Sequence, residues 1–202
     1  MSLLSIHHKV EQGTPEWFAA RMCRFTASSI DALFGKTTNK GYQDEIKRVA
    51  FEMLYGVRPD SFESSWMTRG KELEADARDA YQSTTFTVVE TCGFFTYGDN
   101  IGASPDGLIG DDGTVEIKCV KYNTFIDYVI ADRVPPEYVP QIQTQLLCTD
   151  RQWCDFIAYH PGVPLFIKRI ERDEELIQNI IVAVDVAMAS AKELITKINK
   201  NG

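Results

Sequence analysis

Apolar and polar positions recur along this chain with two different periods, and the switches between them outline its elements. Thr14 precedes Pro15 and can cap a short helix, PEWFAARM: its hydroxyl can take up a free N–H of the first turn, where proline is tolerated. Trp17 within it reads as core. TASSIDALF predicts a second helix with Thr26 as its cap, and the polar, basic stretch 36–41, KTTNKG, reads as a loop. Ile46, Val49, Ala50, Met53 and Leu54 fall on one face of a helix over 42–55. VRPDSFES, 57–64, reads as a loop, and WMTRGKELEADARDAYQ as a long helix over 66–82. The pattern then changes. FTVVE, CGFFTYG, IGASPDGLI and TVEIKC are short β-type runs divided by turn residues. Helices follow over 122–130 and 140–148, and strands in WCDFIAYH and PLFIKRIE. A long helix from ERDEEL onward is acidic at its start and lysine-rich at its end, as the helix dipole favours. This order predicts a mixed α/β class (α+β) with a central mixed sheet flanked by helices.

Composition narrows the class. No Pro/Gly/Ser-rich linker or repeat divides the 202 residues, so one domain over 1–202 is expected. MSLLSIHHKV has no long apolar core. The most apolar run, 176–189, is broken by Gln178, Asn179 and Asp185 and is too polar to span a bilayer. The expectation is a cytoplasmic protein with no membrane partner. Five cysteines without a CxxC pair argue for free thiols rather than a zinc knuckle. A net charge of −8 argues against a broad nucleic-acid surface, since phosphates call for Lys and Arg. A carboxylate cluster that binds cations also makes a chain acidic, however, and basic residues can still line one groove.

The stretch 104–119, SPDGLIGDDGTVEIKC, carries the sharpest candidate chemistry. In a strand TVEIKC, Thr114, Glu116 and Lys118 share one face, and Val115, Ile117 and Cys119 the other. The alternation alone favours a solvated face carrying Glu and Lys. A three-residue loop, Asp111-Asp112-Gly113, would pair Gly110 with Thr114, Leu108 with Glu116 and Asp106 with Lys118. Asp106 then lies on the face of Glu116, diagonal to it; a two-residue loop would send it to the other face. Two carboxylates at one point repel unless a cation lies between them, and hard oxygen ligands suit Mg²⁺ or Mn²⁺. A lysine beside them can hold water or stabilise developing negative charge. The three together would suit phosphodiester hydrolysis.

SPDG followed by a hydrophobic-Glu-hydrophobic-Lys strand resembles the PD-(D/E)xK nuclease signature. Further stretches match in order: EQGTPEWFAARMCRFTASSI, RGKELEADAR, QIQTQ and ERDEEL. Together they resemble the phage lambda exonuclease family, the YqaJ-type viral recombination nucleases, over nearly the whole chain. The resemblance implies a restriction-endonuclease-like core and a Mg²⁺-dependent 5′→3′ exonuclease, with two ions per site. It would degrade one strand of linear double-stranded DNA and leave a 3′ overhang. Asp106, Glu116 and the backbone carbonyl of Ile117 would hold metal, with Glu74 a further acidic ligand. Lys118 would position the attacking water, and Gln141 would orient water or the scissile phosphate. Arg21, Ser28 and Ser104 would receive a DNA 5′-phosphate, which a guanidinium and two hydroxyls suit. The family also implies a homotrimer ring around DNA and a single-strand DNA annealing protein as partner. Basic candidates for the duplex are the Lys36–Lys40 loop, Lys47 and Arg48. The alternatives are a PD-(D/E)xK nuclease of other polarity, which those phosphate-pocket residues disfavour, and a non-catalytic DNA-end-binding protein, which an intact Asp106, Glu116 and Lys118 disfavour.

Overall fold

The computed structural model describes the backbone over 5–59 and 65–201, and the side chains over 9–59 and 73–200. Its helices are α1 (Pro15–Arg21), α2 (Lys40–Tyr55), α3 (Ser65–Thr85), α4 (Tyr122–Ala131), α5 (Val139–Thr149) and α6 (Glu174–Asn201). Its strands are β1 (Ser5–His8), β2 (Phe25–Thr26), β3 (Phe94–Tyr97), β4 (Ile101–Ala103), β5 (Gly107–Ile109), β6 (Gly113–Cys119), β7 (Trp153–Tyr159) and β8 (Phe166–Glu171). The mixed α/β class holds, but the strands do not form one central sheet. They divide into two four-stranded sheets, ordered β1-β3-β4-β2 and β5-β6-β7-β8. Both are mixed: β2 is parallel to β4 and β6 to β7, and the other pairs are antiparallel. IGASPDGLI, expected as one run, breaks at Ser104-Pro105-Asp106, and those three residues carry the chain from one sheet to the other.

Helix α5 lies between the sheets and is buried along almost its whole length. Ile142 and Leu146 pack with Cys154, Phe156 and Ala158 of β7. Leu147 and Cys148 belong instead to the cluster of Phe95, Ile101 and Ala103 from the first sheet, with residues of α2 and α6. The far face of β6 is covered by α3, where Ala77 and Tyr81 meet Val115, Ile117 and Ile157. Both faces of β6 are therefore buried, and the expectation of a solvated Glu/Lys face fails.

Other differences have local causes. TASSIDALF forms a 3-10 helix, Ala27–Phe34, whose Thr26 makes no capping hydrogen bond; that hydroxyl is turned to Arg21. Thr14 does cap α1, accepting from Trp17 N at 3.3 Å. Helix α2 starts at Lys40 rather than 42, and buries Glu52 while Met53 is exposed. Glu52 is accommodated because Arg48 and the Cys23 N–H donate to its carboxylate. FTVVE is not a strand; it contributes one bridge, Glu90 to Leu108. The loop expected over 57–64 lies partly outside the described residues.

Candidate active site

The site begins with the hairpin β5–β6, whose pairs are Ile109–Gly113, Leu108–Thr114 and Gly107–Val115. This register is two residues from the expected one. The turn is Gly110-Asp111-Asp112, with Gly110 at φ +49°. Gly113 has joined the strand, pairing with Ile109 and Trp153, and the Trp153 ring lies where a side chain would start, 2.3 Å from a Cβ there. A shift of two preserves the faces, so Asp106 still shares one with Glu116 and Lys118. It lies just beyond the last ladder pair, Gly107–Val115, rather than opposite Lys118, and its N–H donates to Val115 O at 3.1 Å. One Asp106 oxygen, Oδ2, accepts from Ile117 N at 2.6 Å. Arg151 ties the turn, donating to the carbonyls of Ile109, Gly110 and Gly113 at 2.7–3.1 Å.

Glu116 is 2% exposed, and each of its oxygens is claimed. Gln141 donates to Oε1 at 2.6 Å, and the Lys118 ammonium meets the same oxygen at 2.5 Å. Gln145 donates to Oε2 at 2.5 Å. The Lys118 ammonium also lies 3.4 Å from Gln141 Oε1 and 4.8 Å from the centre of the Tyr138 ring. Burial alone would lower the Lys118 pKa, but Glu116 beside it, and then Asp106, outweigh burial and leave it raised. Burial pushes the Asp106 carboxyl well above the ordinary carboxylate range, and Glu116 and Glu74 add to that push.

Glu74 stands apart. It ion-pairs with Arg78 at 2.6 Å and does not line the cleft. Burial raises its pKa, Arg78 opposes this, and Glu116 adds to it, so its charge is felt at the carboxylate pair. Arg78 also donates to Asp106 O at 3.3 Å. Among the described residues no three His, Cys, Asp or Glu side chains gather as a metal cage. The donors are two carboxylates, Asp106 and Glu116, that line the same cleft. Such an oxygen-donor set fits a hard divalent cation, with Asp106 and Glu116 as its carboxylate donors.

A cleft of about 210 Å³ opens over this pair. Asp106, Glu116, Ile117, Lys118 and Gln141 line one part of it, and Arg21, Ser28, Ser104 and Trp17 another. The Arg21 guanidinium stacks 4.1 Å above the Trp17 ring and donates to Thr26 Oγ1 at 3.3 Å, which lies 3.5 Å from Ser28 Oγ. Burial, with Arg58 and Arg48 nearby, pushes the Arg21 pKa down to about 10, which leaves it cationic at neutral pH. Trp17 is not core, as its sequence suggested. Its ring lines the cleft, and its N–H donates to Ser104 Oγ at 2.8 Å. Arg48 is not a free surface cation either, since it donates to Glu45, Glu52 and Arg24 O. Lys36, Lys40 and Lys47 are exposed.

Two further residues at the site escaped the sequence reading. Gln12 lines the cleft and donates to Pro105 O at 3.2 Å; it lies in the stretch EQGTPEW whose match to the family was its one signal. Gln145 did leave a signal. It lies four residues from Gln141, which puts both amides over one carboxylate. Gln143, between them, points elsewhere: it pairs with Glu171 O and Asp173 N at the entrance to α6.

Known proteins share this fold. A family model described as a YqaJ-like viral recombinase domain matches residues 16–152. The crystal structure of an alkaline exonuclease (LHK-Exo) from Laribacter hongkongensis is similar at a TM-score of 0.84 and 36% identity, covering 93% of this chain and 97% of that one. LHK-Exo in complex with dAMP matches with the same figures. A phage related exonuclease from Haemophilus somnus 129PT shares the fold at a TM-score of 0.66 and 17% identity, covering 87% of this chain and 96% of that one. A search of the curated proteins finds no match. With two thirds of its length under the family model and a 36% identical structural relative along nearly all of it, the chain belongs to the YqaJ-like viral recombinase domain family.

Proposed function

We propose that this chain is a divalent-metal-dependent exonuclease that degrades one strand of linear double-stranded DNA from its 5′ end to mononucleotides. The carrying observation is one cleft lined by the carboxylates of Asp106 and Glu116 with Lys118 and Gln141, and beside them by a guanidinium with two serine hydroxyls. The first group suits cleavage of a phosphodiester, the second a terminal phosphate. The exonuclease relatives support the reaction class, and a relative that binds dAMP supports a mononucleotide product.

Asp106, Glu116 and the carbonyl of Ile117 would hold Mg²⁺ or Mn²⁺, with Glu74 turning from Arg78 to join them if two ions bind. When bound, the cation supplies Lewis acidity at the phosphoryl oxygens and a better nucleophile from water. The chain's own residues do the rest. Lys118, kept cationic by Glu116, moves to the attacking water and the charge that develops on the phosphate. Gln141, bonded to both Lys118 and Glu116, holds that pair in register. Arg21, Ser28 and Ser104 receive the 5′-phosphate and so set the direction of digestion. A single catalytic domain over 1–202, a homotrimer around the duplex, and work beside a single-strand annealing protein in phage-type recombination complete the reading.

Its test uses linear duplexes ending in 5′-phosphate or 5′-hydroxyl, with and without Mg²⁺, comparing wild type with Lys118→Ala. Mononucleotide release by wild type, only with Mg²⁺ and faster from 5′-phosphate ends, is expected. DNA bound but never cut would replace the enzyme with an end-binding protein. Digestion from 3′ ends would overturn the polarity.

A further inference from the structure

We infer that Gln145 is a positioning residue for Glu116 and sets the affinity of the site for its divalent cation. The inference rests on the metal-dependent reading above. Gln141 and Gln145 both reach Glu116, but from different sides. Gln141 lines the cleft and bonds Oε1; Gln145 is 0% exposed, lies off the cleft, and bonds Oε2 at 2.5 Å. It grips the carboxylate from behind.

The orientation of the Gln145 amide follows from its partner. A carboxylate only accepts, so the NH₂ must face Glu116. The amide oxygen is then left buried without a hydrogen-bond partner among the described residues. An unpaired buried carbonyl is unfavourable, and its neighbours on this helix, Ile142, Leu146 and Leu147, are apolar and buried. A leucine or methionine would pack here without that cost. The side chain is therefore accounted for by its bond to Glu116. With Oε2 fixed, the carboxylate cannot rotate, and Oε1 is held toward the cleft. Groups that orient a metal ligand in this way govern metal affinity by about 10–100-fold.

The test compares the full chain with Gln145→Met, which keeps the volume and removes the donor. Mn²⁺ binding is measured by calorimetry without DNA, and thermal melting without metal. At least a tenfold loss of Mn²⁺ affinity is expected, with an equal rise in the Mn²⁺ needed for half-maximal DNA degradation and no change in KM for DNA at saturating Mn²⁺. Gln145→Asn keeps an amide one methylene too short and should lose Mn²⁺ affinity likewise. Wild-type affinity in either folded variant overturns the inference. Failure of both to fold also overturns it, because the amide would then serve the fold. Wild type that binds Mn²⁺ but leaves DNA intact ends the nuclease reading, while the calorimetric comparison still decides the role of Gln145. Wild type that binds no Mn²⁺ ends both.

Discussion

The indole N–H of Trp17 donates to Ser104 Oγ at 2.8 Å, so a helix near the N-terminus is fastened to the segment that joins the two sheets. The same indole carries Arg21 on its face. One aromatic side chain thus sets the spacing between two groups proposed to receive a terminal phosphate. Trp17→Phe keeps a stacking face and removes the N–H. The ratio of digestion rates on 5′-phosphate and 5′-hydroxyl ends should fall about tenfold, the equivalent of ~1.4 kcal/mol. An unchanged ratio would show that Ser104 needs no anchor.

Arg21 should resist conservative replacement. A lysine carries the charge but not the planar fork that stacks on Trp17 and donates to Thr26 while, in the proposed reaction, it also meets a phosphate. Arg21→Lys is expected to lose the preference for 5′-phosphate ends nearly as fully as Arg21→Ala. Competition between the two kinds of duplex end measures it directly. Recovery by lysine would reduce the pocket to a point charge.

Asp106 links stability to pH. Its carboxyl is raised by burial, Glu116 and Glu74, so the native state holds this proton more tightly than the unfolded chain does. Between the ordinary carboxylate pKa and the raised one, the folded state binds more protons, and stability falls as pH rises through that window. Metal-free protein should therefore melt later at the acidic end of the window than at its alkaline end, with Mg²⁺ or Mn²⁺ narrowing the gap. Asp106→Asn should abolish DNA degradation yet stabilise the metal-free fold by about 0.5–2 kcal/mol, as replacement of functional groups can. A lower melting temperature for this variant would contradict the charge argument.

Gly113→Ala tests the hairpin register. The added methyl would lie 2.3 Å from the Trp153 ring, on β7 beside the hairpin. Such overpacking costs about 1–3 kcal/mol. Denaturant melts should record that loss, and circular dichroism should report an otherwise native fold.

Most of this architecture was legible because its cues are local. Thr14 and Pro15 start α1, the 2-residue period of TVEIKC fixes which side chains share a face, and Gly-Asp-Asp-Gly marks a turn. What stayed hidden depends on partners distant in sequence. Gly113 looks like a turn glycine until Trp153 is placed beside it. Glu116 looks solvated until α5 covers it with Gln141 and Gln145. Trp17 looks like core because no local pattern announces a bond to Ser104, 87 residues away. Arg48 looks like a surface cation because the burial of Glu52 cannot be read from α2 alone. Strand alternation already grouped Asp106, Glu116 and Lys118, whereas Arg21, Ser28 and Ser104 stood out only through ordered motifs, since isolated Arg and Ser residues carry no spacing signal.

The crossing from β4 to β5 has a consequence for product length. Ser104 and Asp106 are two residues apart on one covalent stretch, so their α-carbons are separated by at most about 7 Å. In the proposed reaction one receives the end of the strand and the other the bond to be cut. The chain then acts as a ruler with two fixed marks. Its step is set by peptide geometry rather than by the DNA sequence, so every composition of strand would be shortened in equal increments. Lengthening this segment by a residue should change the size of the released fragment before it changes the chemistry that releases it.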